Sequence, residues 1–125
     1  MHNKPLKETG VSGIEAKTKS YAKRKGCWVR KFSSMSQRGV PDDIIVTPSG
    51  LVVSIEFKSP KKLPTHKQEM NLKEILSRSG HAYVVDNLHQ DGKTLWKKDF
   101  NKDIEIWHNG FALIDHVLTI TPLYI

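Results

Sequence analysis

The chain has 125 residues, 38% apolar and 26% charged, with a net charge of +7 and one cysteine. That length suits one domain with one core and excludes two of ordinary size. No apolar run approaches the ~20 residues of a membrane span. The N-terminal stretch lacks the apolar centre of a secretory signal, and the lone Cys27 excludes an internal disulfide and fits a reducing, cytoplasmic setting.

The charge is unevenly spread. Residues 1–80 carry 16 Lys/Arg against 7 Asp/Glu, whereas residues 81–125 carry 4 against 6. Such a basic field attracts polyanions, although basic surfaces also arise without that role. The expected organisation is a single domain over residues 1–125, with an arm at 1–11 in which Lys4 and Lys7 are free to meet phosphate. A core follows at 12–86, then an extension at 87–125.

In chain order, Ser12-Gly13-Ile14-Glu15 resembles a helix start, and Ile14, Thr18, Tyr21 and Ala22 recur with helical spacing until Gly26. Glu15 has a bland reading as the fourth residue of a capping box. Lys17, Lys19, Lys23, Arg24 and Lys25 spread around the polar side, as phosphate contacts or plain solvated charge. Residues 27–32 alternate as a strand, with Trp28, Arg30 and Phe32 on one face and Cys27, Val29 and Lys31 on the other. A polar loop from Ser33 to Gly39 follows, of the kind that often carries binding residues beside a site.

The stretch from Gly39 to Lys58 predicts a hairpin. Residues 42–47 are rich in β-branched side chains, Pro48-Ser49-Gly50 supplies the turn, and residues 51–58 alternate with period two. Leu51, Val53, Ile55 and Phe57 face one way; Val52, Ser54, Glu56 and Lys58 face the other. Antiparallel pairing brings Asp42 to the end of the hairpin that carries Glu56 and Lys58. Two neighbouring carboxylates repel unless they share a proton or a divalent cation, and hard oxygen donors suit Mg²⁺ or Mn²⁺. The bland alternative is a solvated strand face beside a turn aspartate.

Beyond the hairpin, residues 65–79 predict a helix closed by Gly80. Thr65-His66-Lys67-Gln68 forms a capping box, yet Gln68 also lies on the stripe of Leu72, Ile75, Leu76 and Ser79, where a polar side chain needs a partner. Residues 81–86 predict a strand. From Asn87 onward the pattern fades: residues 104–107 suggest a strand, Asn109-Gly110 a turn, and residues 111–120 a strand or a short helix. The apolar ending, residues 121–125, suits packing on the domain itself or on a second subunit. No histidine pair has zinc spacing, and P-loop, dinucleotide-binding and serine-hydrolase signatures do not occur.

Pro41-Asp42 followed by Glu56-Phe57-Lys58 resembles the PD-(D/E)XK nuclease signature. Together with Gly39-Val40, Ile55 and Gln68, it is similar to the virus-type replication-repair nuclease (VRR-NUC) branch, over residues 14–86. The resemblance implies an α/β, restriction-endonuclease-like core of order α-β-β-β-α-β, with a mixed sheet flanked by helices, and Mg²⁺- or Mn²⁺-dependent phosphodiester hydrolysis in DNA. It implies metal ligation by Asp42, Glu56, the Phe57 carbonyl and Glu15, water orientation by Lys58, and a site role for Gln68. It also implies backbone contacts from Lys31 and Arg38, which Lys17, Lys61 and Lys62 extend. For a small member it implies a homodimer acting on branched DNA such as a four-way junction. The chain departs from the family pattern at Asp43, where members often carry an apolar residue; Asp42 is the acid assigned to the metal. A DNA-binding module without activity and a nuclease acting on RNA are the competing readings.

Overall fold

The computed structural model describes residues 13–32, 39–60, 62–78, 80–88, 94–95 and 103–122. Its elements are α1 (Ile14–Arg24), β1 (Trp28–Lys31), β2 (Asp43–Val46), β3 (Val52–Phe57), α2 (His66–Ser77), β4 (His81–Val85), β5 (Thr94–Leu95), β6 (Ile106–Trp107) and α3 (Gly110–Leu118). The expected α-β-β-β-α-β core is therefore present, with β5, β6 and α3 added after it. No described helix is long and apolar enough to cross a membrane.

The strands form one mixed sheet in the order β1-β2-β3-β4-β6-β5. The first three run antiparallel, with Lys31 opposite Asp43 and Asp43 opposite Ile55. Strands β3, β4 and β6 run parallel, with Phe57 opposite Val85 and Val85 opposite Trp107. Their carboxyl ends therefore lie along one rim of the sheet. Strand β5, which sequence periodicity did not indicate, pairs antiparallel with β6.

The β2–β3 turn follows its residue chemistry. The Gly50 amide donates to the Thr47 carbonyl at 2.8 Å, and Gly50 has φ +95°, a left-handed conformation that costs glycine little. Pro48 and Ser49 occupy the middle of that turn.

Alternation along the strands divides the core. On one face Val29, Ile45, Val53, Ile55, Phe57, Tyr83 and Val85 pack with Ile14 and Ala22 of α1 and Leu113, Ile114 and Val117 of α3. On the other, Ala82, Val84, Ile104 and Ile106 pack with Leu72, Ile75 and Leu76 of α2. Each large side chain fully buried in this way contributes about 1.5–3 kcal/mol. Cys27 is buried, and that burial raises its thiol pKa.

The Asn109-Gly110 turn is corrected. Asn109 is the N-cap of α3, its side-chain oxygen accepting from the Phe111 and Ala112 amides at 3.0 and 3.3 Å. The segment that suited strand or helix is a helix, because Leu113, Ile114 and Val117 share the face that meets the sheet.

Candidate active site

The hairpin does what its sequence predicts: it carries Asp42, Glu56 and Lys58 to one rim. Asp42 immediately precedes β2, and its Oδ2 accepts a 2.8 Å hydrogen bond from the Phe57 amide. Across that bond the Glu56 carboxyl comes within hydrogen-bond reach of Asp42. Glu56 is 2% exposed, with Lys58 Nζ 4.0 Å from its Oε2. Burial is the largest influence on Asp42 and raises its pKa, and the charge of Glu15 adds to this; the Phe57 amide and Lys31 oppose it. A carboxyl pushed up in this way has much to gain from a cation.

Helix α2 supplies the opposite wall. The Thr65 hydroxyl accepts from the Gln68 amide at 3.2 Å, while the Thr65 amide donates to Gln68 Oε1 at 2.8 Å, completing the capping box. Gln68 Nε2 is left to donate to Glu56 Oε2 at 2.9 Å. The structural and site readings of Gln68 thus hold together, one through each end of the amide. Gly39 lets the Pro41-Asp42 segment approach this helix: its φ is +84°, and a Cβ there would meet the Lys67 backbone at 2.9 Å.

Glu15 enters from the other face of the sheet. The N-cap of α1 is Gly13, which makes no side-chain cap bond, so Glu15 is the second helical residue and the capping-box reading does not hold. Its Oε2 instead lies 3.0 Å from Lys31 Nζ and 3.7 Å from Lys19 Nζ. Burial works to raise Glu15, but its contacts with Asp43 and Lys31, and the Lys19 charge, leave it below the ordinary value. Lys31 is raised by its bond to Glu15.

Asp43, which shares a face with the core residue Ile45, is fully buried, with Lys19 Nζ 3.0 Å from its Oδ1. Neither of its oxygens has a well-aligned hydrogen-bond donor among the described residues. Burial and the neighbouring Glu15 carboxyl raise it to about 7. The two consecutive aspartates therefore point to different surroundings: Asp42 to Glu56 and the Phe57 amide, Asp43 to Glu15 and Lys19.

Of the expected phosphate contacts, Lys31 is exposed on edge strand β1, Lys17 is half-buried on α1, and Lys62 is exposed ahead of α2. Arg38 and Lys61 lie outside the described residues, as do the N-terminal arm and the last three residues.

Sequence reasoning passed over one pair on the same rim. Asp86 and His108 follow β4 and β6, with His108 Nδ1 2.5 Å from Asp86 Oδ1. Asp86 neighbours Val85, whose carbonyl accepts from the Lys58 amide at 2.9 Å. Its position directly after a strand parallel to β3 was the available signal.

Among the described residues no three His, Cys, Asp or Glu side chains form a ready-made metal cage. Two carboxylates beside a backbone carbonyl are nevertheless a donor set that suits Mg²⁺, which keeps several waters and takes further oxygens from substrate phosphate. The buried, hard-oxygen pair of Asp42 and Glu56 fits such an ion.

The mixed sheet, with α1 and α3 on one face, α2 on the other and acids and a lysine at its rim, defines a restriction-endonuclease-like α/β fold. A solved structure described as a VRR_NUC domain matches with a TM-score of 0.54 at 21% identity, over 84% of this chain and 94% of that one. Over 74 residues the chain is 30% identical to "Putative nuclease p44" of Acyrthosiphon pisum secondary endosymbiont phage 1, covering 59% of this chain and 80% of that protein. No family model matches. The chain belongs to the VRR-NUC family of the PD-(D/E)XK nuclease superfamily.

Proposed function

We propose that this protein is a Mg²⁺- or Mn²⁺-dependent endonuclease that hydrolyses phosphodiester bonds in DNA. The observation that carries the reading is the convergence of Asp42, Glu56 and Lys58, with Asp42 held by the Phe57 amide and Glu56 by Gln68. Asp42, Glu56 and the Phe57 carbonyl would hold the ion, with Glu15 contributing from α1. When bound, a divalent cation stabilises charge on the phosphoryl oxygens and makes its water more acidic. Lys58 orients the attacking water and offsets charge as the phosphorus becomes five-coordinate. Gln68 keeps Glu56 in place. Lys31, Arg38, Lys17, Lys61 and Lys62 meet the substrate backbone.

The finer reading is a homodimer selective for branched DNA such as a four-way junction, working inside the cell. It rests on family likeness and on the basic charge of residues 1–80.

The test is cleavage of end-labelled four-way junction, flap, duplex and single-stranded DNA, and of RNA, with Mn²⁺, Mg²⁺ or EDTA. Metal-dependent cutting that is lost in Lys58→Ala supports the enzyme, and the shape cut best identifies its substrate. Tight, chelator-insensitive binding without cutting would replace it with a DNA-binding module.

A further inference from the structure

Edge strand β1 carries a row that the proposed chemistry does not use. Trp28 and Phe32 are 50% and 42% exposed, and Arg30, between them, is exposed too. Successive positions on one strand face are about 6.6 Å apart, so the row spans about 13 Å. The Arg30 guanidinium lies over the Trp28 ring, 4.6 Å from its centroid, and is fixed there by a 2.8 Å hydrogen bond to the Val29 carbonyl. Behind Trp28, Val46 and then Val52 continue the row across the sheet in register, and Val52 is 56% exposed. Phe32 forms the other end. It lines a cavity of about 180 Å³ with Val40, Pro41 and Ile44, and its amide donates to the Asp42 carbonyl at 2.7 Å. The row therefore leads to the segment that carries Asp42.

Single exposed apolar residues are ordinary; an aromatic-arginine-aromatic row ending at a candidate active site is a patch. A second copy of the chain is a poor occupant, because Arg30 and Lys31 on β1, and Lys23, Arg24 and Lys25 just before it, would face their like. The same cations suit a polyanion. Exposed aromatics with a stacked arginine offer faces to unpaired bases, while the surrounding lysines follow the phosphates.

We propose that Trp28, Arg30 and Phe32 form a stacking platform for unpaired nucleobases of a single strand, which they lead toward Asp42. As a substrate-binding surface it rests on the nuclease reading.

Anisotropy of labelled oligothymidine, oligouridine and blunt duplex, titrated with the full chain in EDTA, reads binding without cleavage. Trp28→Ala is expected to weaken oligothymidine binding about tenfold and duplex binding less than about twofold. Phe32→Ala should weaken it further, and Trp28→Phe should restore most of it. A strand of abasic sites should bind the wild type no better than oligothymidine binds Trp28→Ala. The oligouridine arm separates DNA from RNA as the source of the bases. Unchanged binding in Trp28→Ala, or equal loss on strand and duplex, overturns the platform, as does a dimer in sedimentation that Trp28→Ala dissociates. Thermal melting confirms that each variant folds. The two readings fail separately. Metal-dependent cutting with strand binding indifferent to Trp28 removes only the platform; base-dependent binding without cutting under any metal removes only the nuclease.

Discussion

Gln68 donates from Nε2 to Glu56 at 2.9 Å while its Oε1 accepts from the Thr65 amide at 2.8 Å. One side chain therefore joins the first turn of α2 to the acid at the end of β3. The helix start and the site are held by the same amide group.

Two substitutions separate these functions. Thr65→Ala removes the hydroxyl half of the capping box and should cost about 1 kcal/mol of stability, leaving the Glu56 contact and activity in place. Gln68→Ala should cost a similar amount, and it should also raise the metal concentration needed for half-maximal cleavage, because Glu56 loses its positioning donor. Denaturant unfolding and metal titrations of cleavage check both. Equal metal requirements would remove Gln68 from the site.

Asp42→Asn and Lys58→Ala should each lower cleavage by at least about a hundredfold, the scale for removing a group that stabilises developing charge. The fold should survive, since an asparagine oxygen can still accept from the Phe57 amide and Lys58 lies at the rim. Circular dichroism and initial rates with Mn²⁺ check this. Near wild-type rates in either variant would sink the assignment.

Metal binding should also register without any substrate. An ion that binds only the folded state stabilises it by about 2.7 kcal/mol at a hundred times its dissociation constant. Mn²⁺ should raise the wild-type melting temperature by several degrees, and Asp42→Asn should abolish the rise. A shift retained in Asp42→Asn would place the ion elsewhere.

Period and turn chemistry made much of this fold legible. The β-branched run before Pro48-Ser49-Gly50 and the alternation after it marked the hairpin, and the Thr65-x-x-Gln68 box marked the start of α2 to within a residue. The tail was harder. Strand β5 is two residues long, and Asn109-Gly110 suits a hairpin turn as well as a helix cap, so pairing partners distant in sequence decide between them. The surroundings of Asp43 were hidden for another reason. A charged residue beside Asp42 reads as part of the same acidic site, and only strand register turns it toward Lys19, on the helix across the sheet.

The close approach of α1 and α3 gives a stability prediction. A Cβ on Gly110 would lie 2.0 Å from Thr18 Oγ1, and Thr18 is fully buried. Gly110→Ala should therefore destabilise by about 1–3 kcal/mol through overpacking. Shortening the partner with Thr18→Ala should recover part of that loss, as equilibrium unfolding of the double variant will show. No loss in Gly110→Ala would mean that the helices separate at little cost.

Asp43 gives a pH dependence whose sign is fixed by its surroundings. Its folded pKa is about 7 against an ordinary 3.8, so between those values the folded chain keeps a proton that the unfolded chain releases. Its contribution to stability is complete below 3.8 and is lost as pH rises to 7, at up to about 1.4 kcal/mol per pH unit. Glu15 is shifted the other way, and its contribution is lost only as pH falls below its ordinary 4.5. Without metal, the melting temperature should therefore decline from pH 5 to pH 7.5. Asp43→Leu, which installs the apolar type of residue the family favours there, should flatten that decline and melt higher at pH 7.5. Lys19 is not stranded by the change, since Glu15 remains 3.7 Å away. An unchanged slope in Asp43→Leu would show that Asp43 stays ionised beside Lys19 throughout the range.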